Sequence, residues 1–211
     1  MTNFSLFETM RYTPGEGIAR LSLHLKRLET SARRLGFAGA DKAGEALAAY
    51  LATPPISLQR LRLELSSDGK ITITSAPFIL QSDDTVWRIA IGSTRTASTD
   101  SLIRHKTTRR ALYEAARAEF PASEINEVIL LNEKGELTEG TITNLFVEDD
   151  DGRLMTPPIS SGCLAGVLRT SLICARKAYN HRLRPEDLAG RTLYIGNSLR
   201  GLIRAELIAN G

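Results

Sequence analysis

The densest group of basic side chains lies at residues 104–110, where the sequence reads Arg-His-Lys-Thr-Thr-Arg-Arg. A lysine amine attacks a carbonyl only when it is partly deprotonated, and neighbouring cations such as Arg104 and Arg109 disfavour its charged form. Lys106 is therefore a candidate nucleophile. Taken alone, the run is more typical of a solvated helix start or a general anion-binding patch, because most charge clusters lie on solvated faces.

Two further segments could bind an anion through the backbone. Residues 162–169 place glycines before and inside a predicted helix start, and Gly196, Asn197 and Ser198 are predicted to open another helix. A helix start presents free N–H groups and a positive dipole end, which suit a phosphate. Each signal is weak alone, because Gly and Ser are also ordinary caps. Glu139 by itself indicates only an exposed glutamate at a turn.

The histidines and cysteines do not predict a metal site. His24 and His181 lack paired ligand spacing, and we interpret them as structural or surface groups. Cys163 and Cys174 lack CxxC spacing, which excludes the usual zinc and disulfide patterns. We therefore expect no bound metal.

The elements that must position these residues alternate between strands and helices, which predicts an α+β fold. Apolar side chains at helical spacing, followed by Gly36 as a cap, predict the first helix at residues 21–35. A small, polar stretch at residues 92–101 is the best linker candidate. The other predicted helices cover residues 42–51, 108–119, 164–177 and a final helix after Ser198, and the predicted strands cover residues 4–10, 61–65, 71–74, 87–91, 128–131, 142–147, 154–155 and 193–195.

Composition limits the class of protein. The chain has 211 residues, of which 42% are hydrophobic and 24% are charged, so disordered, collagen-like and coiled-coil classes are excluded. Lys+Arg total 27 and Asp+Glu total 24, and a net charge of +3 does not imply a nucleic-acid partner. No apolar run approaches the roughly 20 residues of a membrane span, and the N-terminus lacks a signal-peptide pattern. We expect a cytoplasmic protein without a membrane partner.

Six short segments follow one another along the chain, at residues 7–11 (Phe-Glu-Thr-Met-Arg), 24–28 (His-Leu-Lys-Arg-Leu), 105–110, 137–146, 166–169 (Gly-Val-Leu-Arg) and 196–198. Together they resemble the fold type IV pyridoxal phosphate enzymes, also called class IV aminotransferases. That family includes branched-chain aminotransferases, D-amino acid aminotransferases and 4-amino-4-deoxychorismate lyase. The sequence around Lys106 and at residues 197–201 is most similar to that of lyase domains fused to aminodeoxychorismate synthase component I. The resemblance covers nearly the whole chain.

The resemblance implies two small α/β lobes of the D-amino acid aminotransferase-like type, with pyridoxal 5'-phosphate in the cleft between them. We expect an N-terminal lobe at residues 1–97 and a C-terminal cofactor-binding lobe at residues 98–211. A homodimer is also implied, because a second subunit completes the site in this family.

The same resemblance implies a role for each candidate residue. Lys106 matches the catalytic lysine that bonds covalently to the cofactor and moves protons, and Glu139 matches the carboxylate that pairs with the pyridine nitrogen and keeps the ring protonated. Arg27 matches the arginine at the cofactor phosphate, where a guanidinium fork suits an oxyanion. The other implied cofactor-binding residues are Val167 and Leu168, through their backbone N–H groups, Asn197 and Ser198 at the last turn, and Asn144 as a support for Glu139. Candidates for the substrate carboxylate are Arg11 and Arg109, with Thr9 as a polar neighbour.

The favoured reaction is that of 4-amino-4-deoxychorismate lyase, which releases pyruvate and 4-aminobenzoate by proton abstraction and elimination from an external aldimine. Aromatisation favours the elimination, so the protein mainly supplies orientation and a proton path. A functional link to aminodeoxychorismate synthase follows from that substrate.

Two alternatives remain open at the level of the sequence. The first is a class IV aminotransferase acting on an amino acid and a keto acid, although Thr143 and Ala111 stand where branched-chain enzymes carry a glutamate and a tyrosine. The second is a cofactor-binding homologue with weakened catalysis, since the chain starts almost directly at the Phe-Glu-Thr motif.

Overall fold

The computed structural model describes residues 4–208, which divide into two compact units. The first unit contains residues up to Leu80 together with His105–Arg109, and the second contains Gln81–Arg104 and the residues from Arg110 onward. Both units combine helices with strands, which confirms the α+β class expected from the sequence.

The first unit is a four-stranded antiparallel sheet covered by two helices, with strand order β2-β1-β3-β4. Its elements are β1 (Leu6–Thr13), β2 (Gly17–Ile18), α1 (Leu21–Leu35), a 3-10 turn (Ala40–Lys42), α2 (Ala43–Tyr50), β3 (Gln59–Leu65) and β4 (Ile71–Pro77).

The core of this unit forms where the period-two pattern of the strands meets the helical pattern of α1. Leu6, Met10 and Tyr12 alternate along β1 and are buried against Leu28 and Ala32 of α1. Gly36 ends the helix in the left-handed region (φ 75°), where glycine has no steric penalty. The other face of β1 carries Phe7, Thr9 and Arg11 away from this core.

A segment distant in sequence, His105–Arg109, completes the first unit by pairing with the start of β1. The Phe7 N–H donates to the Lys106 carbonyl at 3.0 Å, and the Thr108 N–H donates to the Ser5 carbonyl at 2.9 Å. Thr107 forms an antiparallel bridge with Leu6. The backbone on both sides of Lys106 is therefore fixed by β1.

The second unit contains an eight-stranded mixed sheet of order β10-β9-β8-β11-β12-β5-β6-β7. An additional pairing of β7 with β8 joins six of these strands into a closed ring. The elements are β5 (Val86–Thr96), a 3-10 turn (Ser101–Arg104), α3 (Ala111–Ala118), β6 (Glu127–Asn132), β7 (Leu137–Gly140), β8 (Asn144–Glu148), β9 (Leu154–Thr156), a 3-10 turn (Ile159–Ser161), α4 (Val167–Cys174), β10 (Ala178–Asn180), a 3-10 turn (Pro185–Leu188), β11 (Leu193–Asn197) and β12 (Gly201–Leu207).

Strand β6 is covered by apolar side chains on both of its faces. All six of its residues are buried, because Ile129 and Leu131 face the main core while Val128 and Leu130 face the cluster that contains Ala116 of α3. A strand covered on both faces reads as a continuous apolar run rather than an alternating one.

Two sequence-based predictions of secondary structure were wrong, because contacts with residues outside each segment decide the structure there. The first half of the proposed linker at residues 92–101 is strand, because β5 continues to Thr96 across a register shift at which the Glu119 carboxylate accepts hydrogen bonds from the Ser93 and Thr94 N–H groups. The proposed final helix after Ser198 is a turn followed by β12, because this segment pairs with β11 on one side and with β5 on the other, and its buried Ile203 and Ala205 alternate with exposed residues.

The division into units also differs from the predicted boundary between residues 97 and 98. Strand β5, predicted as part of the first lobe, pairs in parallel with β6 and β12 and so belongs to the second unit. The helices at residues 108–119 and 164–177 are shorter than predicted. None of the helices within residues 4–208 has the length and apolar character needed to cross a membrane.

Candidate active site

Lys106 is half-buried in the first unit, and its amine lies over an aromatic ring. The Nζ atom is 4.4 Å from the centroid of the Phe7 ring. His105, the preceding residue, is hydrogen-bonded through Nδ1 to Ser31 Oγ of α1 at 2.9 Å. The lysine is thus held by β1 on its backbone, by α1 through its neighbour, and by Phe7 at its tip.

Arg27, the predicted phosphate ligand, is tied to a buried carboxylate that sequence analysis did not single out. Glu8 is 2% exposed, and it accepts hydrogen bonds from Arg27 Nε at 2.8 Å and from Arg27 Nη2 at 2.5 Å. His24 Nδ1 lies 2.6 Å from Glu8 Oε2. In the sequence, Glu8 lies in the motif at residues 7–11 and on the apolar face of β1, but nothing there assigns it a partner.

The charges of this group are set by burial and pairing together. Burial raises the pKa of Glu8, but the charge of Arg27 and the hydrogen bonds from His24 and Arg27 outweigh it and lower the pKa to about 2. Burial lowers the pKa of His24 despite the Glu8 carboxylate. A neutral His24 therefore donates its Nδ1 proton to an ionised Glu8. The charges of Arg27 and Lys106 both act on the pKa of His24, so these cations lie near it.

The predicted substrate residues Thr9 and Arg11 share the face of β1 that points away from α1. Arg11 keeps a buried Nε atom with no hydrogen-bond partner within residues 4–208. Its charge also helps to lower the pKa of Arg20, after burial. Two guanidinium groups near one another, one with an unused donor, suit an anion. Arg109 is exposed at the end of the 105–109 segment.

Glu139 lies at the centre of the candidate residues of the second unit. It is only 4% exposed, so it is not the exposed turn glutamate that its sequence context alone indicated. Its Oε1 atom accepts a hydrogen bond from the Tyr113 hydroxyl at 2.7 Å. Its Oε2 atom accepts a longer one from Asn144 Nδ2 at 3.5 Å, across the paired positions of β7 and β8. A buried carboxylate held by two neutral donors is suited to a protonated ring nitrogen.

Asn144 connects Glu139 to the predicted phosphate-binding helix start. Its Nδ2 atom also donates to the Leu164 carbonyl at 3.2 Å, and its side chain packs against Gly166. Helix α4 begins after Gly166 without a side-chain cap, so the N–H groups of Val167 and Leu168 have no acceptor within the helix. Such donors are chemically suited to a phosphate.

The Gly196–Ser198 segment reaches the same place from β11, although it opens no helix. Gly196 pairs with Asn144 of β8, and the Asn197 Nδ2 atom donates to the Ile142 carbonyl at 3.1 Å. The Asn197 side chain also accepts hydrogen bonds from the Leu199 and Arg200 N–H groups, which shapes the turn into β12. Ser198 is buried.

A second buried carboxylate, missed by sequence analysis, holds the turn that joins Glu139 to Asn144. Glu127 is fully buried and accepts hydrogen bonds from Thr141 N–H at 2.9 Å, Ile142 N–H at 3.0 Å and the Thr143 hydroxyl at 2.9 Å. Thr143, noted as a departure from branched-chain enzymes, therefore binds this carboxylate. The signal available in the sequence was a glutamate at the start of an apolar strand.

We expect Gly196→Ala to destabilise the protein by about 1–3 kcal/mol, the usual cost of overpacking a buried position. A Cβ atom at this position would lie 2.5 Å from the Gly201 carbonyl oxygen and 2.8 Å from Leu168 Cδ2. Urea unfolding measures the change. Gly44→Ala is the control, because its Cβ would meet only Leu25 Cδ1 at 3.5 Å inside α2, and it should stabilise by about 0.5 kcal/mol. Equal stability of Gly196→Ala and the unmutated chain would contradict this packing.

Comparisons with known proteins place this arrangement in a family. A candidate aminodeoxychorismate lyase from Schizosaccharomyces pombe is 32% identical over 178 residues, covering 82% of this chain and 74% of that protein. The crystal structure of a candidate amino-acid aminotransferase from Mesorhizobium loti is 42% identical, covers 98% of this chain and 100% of that one, and superposes with a TM-score of 0.93.

A third relative shows similarity of the fold alone. The crystal structure of 4-amino-4-deoxychorismate lyase from Pseudomonas aeruginosa has a TM-score of 0.81 at 22% identity, covering 96% of this chain and 82% of that one.

The family model described as amino-transferase class IV matches residues 5–208. This chain therefore belongs to the class IV aminotransferase family of enzymes.

Proposed function

We propose that this chain is a pyridoxal phosphate-dependent lyase that converts 4-amino-4-deoxychorismate to 4-aminobenzoate and pyruvate. The observation that carries the cofactor part is the joint position of a buried Glu139 and the uncapped start of α4, bridged by Asn144. The similarity to the candidate lyase of Schizosaccharomyces pombe supports the choice of reaction.

The residues of this chain fit the chemical groups of the cofactor. Glu139 would pair with the ring nitrogen, and the Val167 and Leu168 N–H groups would bind the phosphate, together with Arg27, Asn197 and Ser198. Asn144 would keep Glu139 oriented. Two relatives of about 20% identity were crystallised with the phosphopyridoxyl group or in a pyridoxal phosphate form, which supports the same cofactor here.

In this proposal Lys106 performs the proton transfer. When bound, pyridoxal phosphate supplies an aldehyde that bonds to amines and a ring that accepts the electron pair left by a departing proton. The Lys106 amine removes the proton from the amine-bearing carbon of the substrate. The ether C–O bond of the substrate then breaks and the six-membered ring of the substrate becomes aromatic. The proton is returned to the enol carbon of the departing pyruvate. Arg11 and Arg109, with Thr9 beside Arg11, would bind the substrate carboxylates.

Transamination is the second candidate, and the full-length similarity to the candidate aminotransferase of Mesorhizobium loti favours it. The same lysine would remove the same kind of proton but return it to the cofactor, and water would then release a keto acid. The two reactions differ in the fate of the proton held by Lys106 and in the need for a keto-acid acceptor.

The assay that tests the proposal uses the purified chain loaded with pyridoxal phosphate and supplied with aminodeoxychorismate made from chorismate by its synthase. We expect 4-aminobenzoate, detected by fluorescence, and pyruvate, detected with lactate dehydrogenase, in equal amounts and without any added keto-acid acceptor. Amino transfer between an amino acid and a keto acid, with no pyruvate from aminodeoxychorismate, would mean that the chain is a transaminase and not a lyase. Cofactor binding with neither activity would indicate a catalytically weakened homologue.

We also propose that the chain acts as a cytoplasmic homodimer, and that an aminodeoxychorismate synthase supplies its substrate. The family to which the chain belongs supports the homodimer, and the chemistry of the substrate supports the link to the synthase.

A further inference from the structure

Tyr113 forms a short hydrogen bond to Glu139, although neither the periodicity nor the motifs of the sequence point to it. The residue lies in the first turns of α3, and its hydroxyl donates to Glu139 Oε1 at 2.7 Å. The Asn144 bond to the other carboxylate oxygen is longer, at 3.5 Å. Tyr113 is therefore the stronger of these two constraints on the orientation of the carboxylate.

The ring of Tyr113 is itself held in place. The guanidinium carbon of Arg110 lies 4.7 Å from the ring centroid, and Arg110 Nη2 donates to the Thr141 carbonyl at 2.5 Å. Arg110 thus links the base of α3 to the turn that follows Glu139. A fixed ring allows the hydroxyl to act as a directional donor and not as a freely rotating group.

The charge state of Tyr113 suits a permanent donor. Burial raises the pKa of Tyr113, and the neighbouring Glu139 charge raises it further, although Arg110 opposes them. The hydroxyl therefore keeps its proton through the neutral range. The pKa values of Cys163 and Arg169 also respond to the Glu139 charge, and burial keeps Cys163 a neutral thiol by raising its pKa to about 12.

We propose that Tyr113 is a positioning residue that holds Glu139 as an oriented carboxylate for the ring nitrogen of the cofactor. This inference rests on the proposed function. A hydrogen bond to the ionised form of a buried carboxylate stabilises that form, and a second donor fixes the direction of its remaining lone pairs. Tyr113 therefore acts through Glu139 without itself contacting the reacting atoms.

The test compares Tyr113→Phe with Tyr179→Phe. Tyr179 makes the same kind of bond elsewhere in the second unit, where its hydroxyl donates to Asp149 Oδ2 at 2.8 Å. Each variant keeps the aromatic ring and removes one tyrosine–carboxylate hydrogen bond. The probe is pyridoxamine 5'-phosphate, an amine that cannot bond covalently to Lys106, so its dissociation constant measured by calorimetry reports the ring and phosphate contacts without requiring activity.

We expect Tyr113→Phe to raise that dissociation constant about tenfold, as for the loss of one hydrogen bond to a charged group. The acid limit of binding should move up by roughly one pH unit, because the unbonded carboxylate takes up a proton more readily. Tyr179→Phe should leave both quantities unchanged. In a Glu139→Gln background, Tyr113→Phe should have less than about a twofold further effect, because the two residues act as one pair.

The possible failures of this test are distinguishable. If the unmutated chain binds pyridoxamine phosphate and Tyr113→Phe binds it equally well over the same pH range, the role of Tyr113 is refuted while the proposed cofactor stands. An equal loss of affinity with and without Glu139 would mean that Tyr113 acts through packing, which also overturns the inference. Failure of the unmutated chain to bind either cofactor form would overturn the proposed function and this inference together. Circular dichroism confirms that each variant is folded.

Discussion

Replacing Lys106 with alanine is expected to abolish covalent attachment of pyridoxal phosphate and to lower turnover by roughly 10²–10⁴-fold, the contribution of a positioned acid–base group. The backbone around this residue is fixed by hydrogen bonds from Phe7 and Thr108, which an alanine retains. The substitution therefore removes the amine and leaves the segment in place. Absorbance of the bound cofactor and borohydride trapping measure attachment, and pyruvate release measures turnover.

The control for this prediction is Lys26→Ala. Lys26 is exposed on α1, immediately before Arg27, and alanine is a good helix former. It should keep covalent attachment and most of the turnover. If Lys106→Ala still forms a borohydride-stable bond to the cofactor at one site per chain, another lysine is the nucleophile and the proposed role of Lys106 is wrong.

Replacing Glu8 with alanine is expected to cost about 3–5 kcal/mol of unfolding free energy, as when one partner of a buried ion pair is removed. Arg27 would lose both of its hydrogen bonds to Glu8, and the His24 Nδ1 proton would lose its acceptor. Urea unfolding measures the loss. Glu64→Ala is the matched control, because Glu64 pairs with Arg62 at 2.9 Å with both side chains more than a third exposed, and it should cost less than about 1 kcal/mol.

The buried ion pair between Glu8 and Arg27 also predicts how the free energy of unfolding depends on pH. The pKa of Glu8 falls from its ordinary value of 4.5 to about 2 in the folded chain, so its contribution is complete above about pH 4.5 and is lost as the pH falls towards 2. The unmutated chain should therefore lose about 3 kcal/mol more than Glu8→Ala over that interval. Parallel acid-unfolding curves for the two proteins would contradict the ion pair.

Local patterns along the chain predicted a large part of the fold. The first helix ends where Gly36 indicated, and the strands at residues 61–65, 71–74 and 193–195 lie within β3, β4 and β11. Periodicity and turn residues encode such elements within a few neighbouring positions, so one sequence is sufficient to find them. The two incorrectly predicted elements depend on contacts between residues that are farther apart in the chain. In β5, for example, the Thr94 N–H group donates to the Glu119 carboxylate, 25 positions away.

The candidate site follows the same division. The chemistry of the residues pointed only to Lys106, whose basic neighbours favour a reactive amine. The roles expected for Glu139 and Arg27 came from the resemblance of motifs, in chain order, to a known family. Only the tertiary structure revealed the carboxylate of Glu8 on Arg27, the hydroxyl of Tyr113 on Glu139, and the pairing of the Lys106 backbone with β1. These contacts join residues 19, 26 and 99 positions apart in the chain, and no local pattern records which distant side chain will complete a buried hydrogen bond.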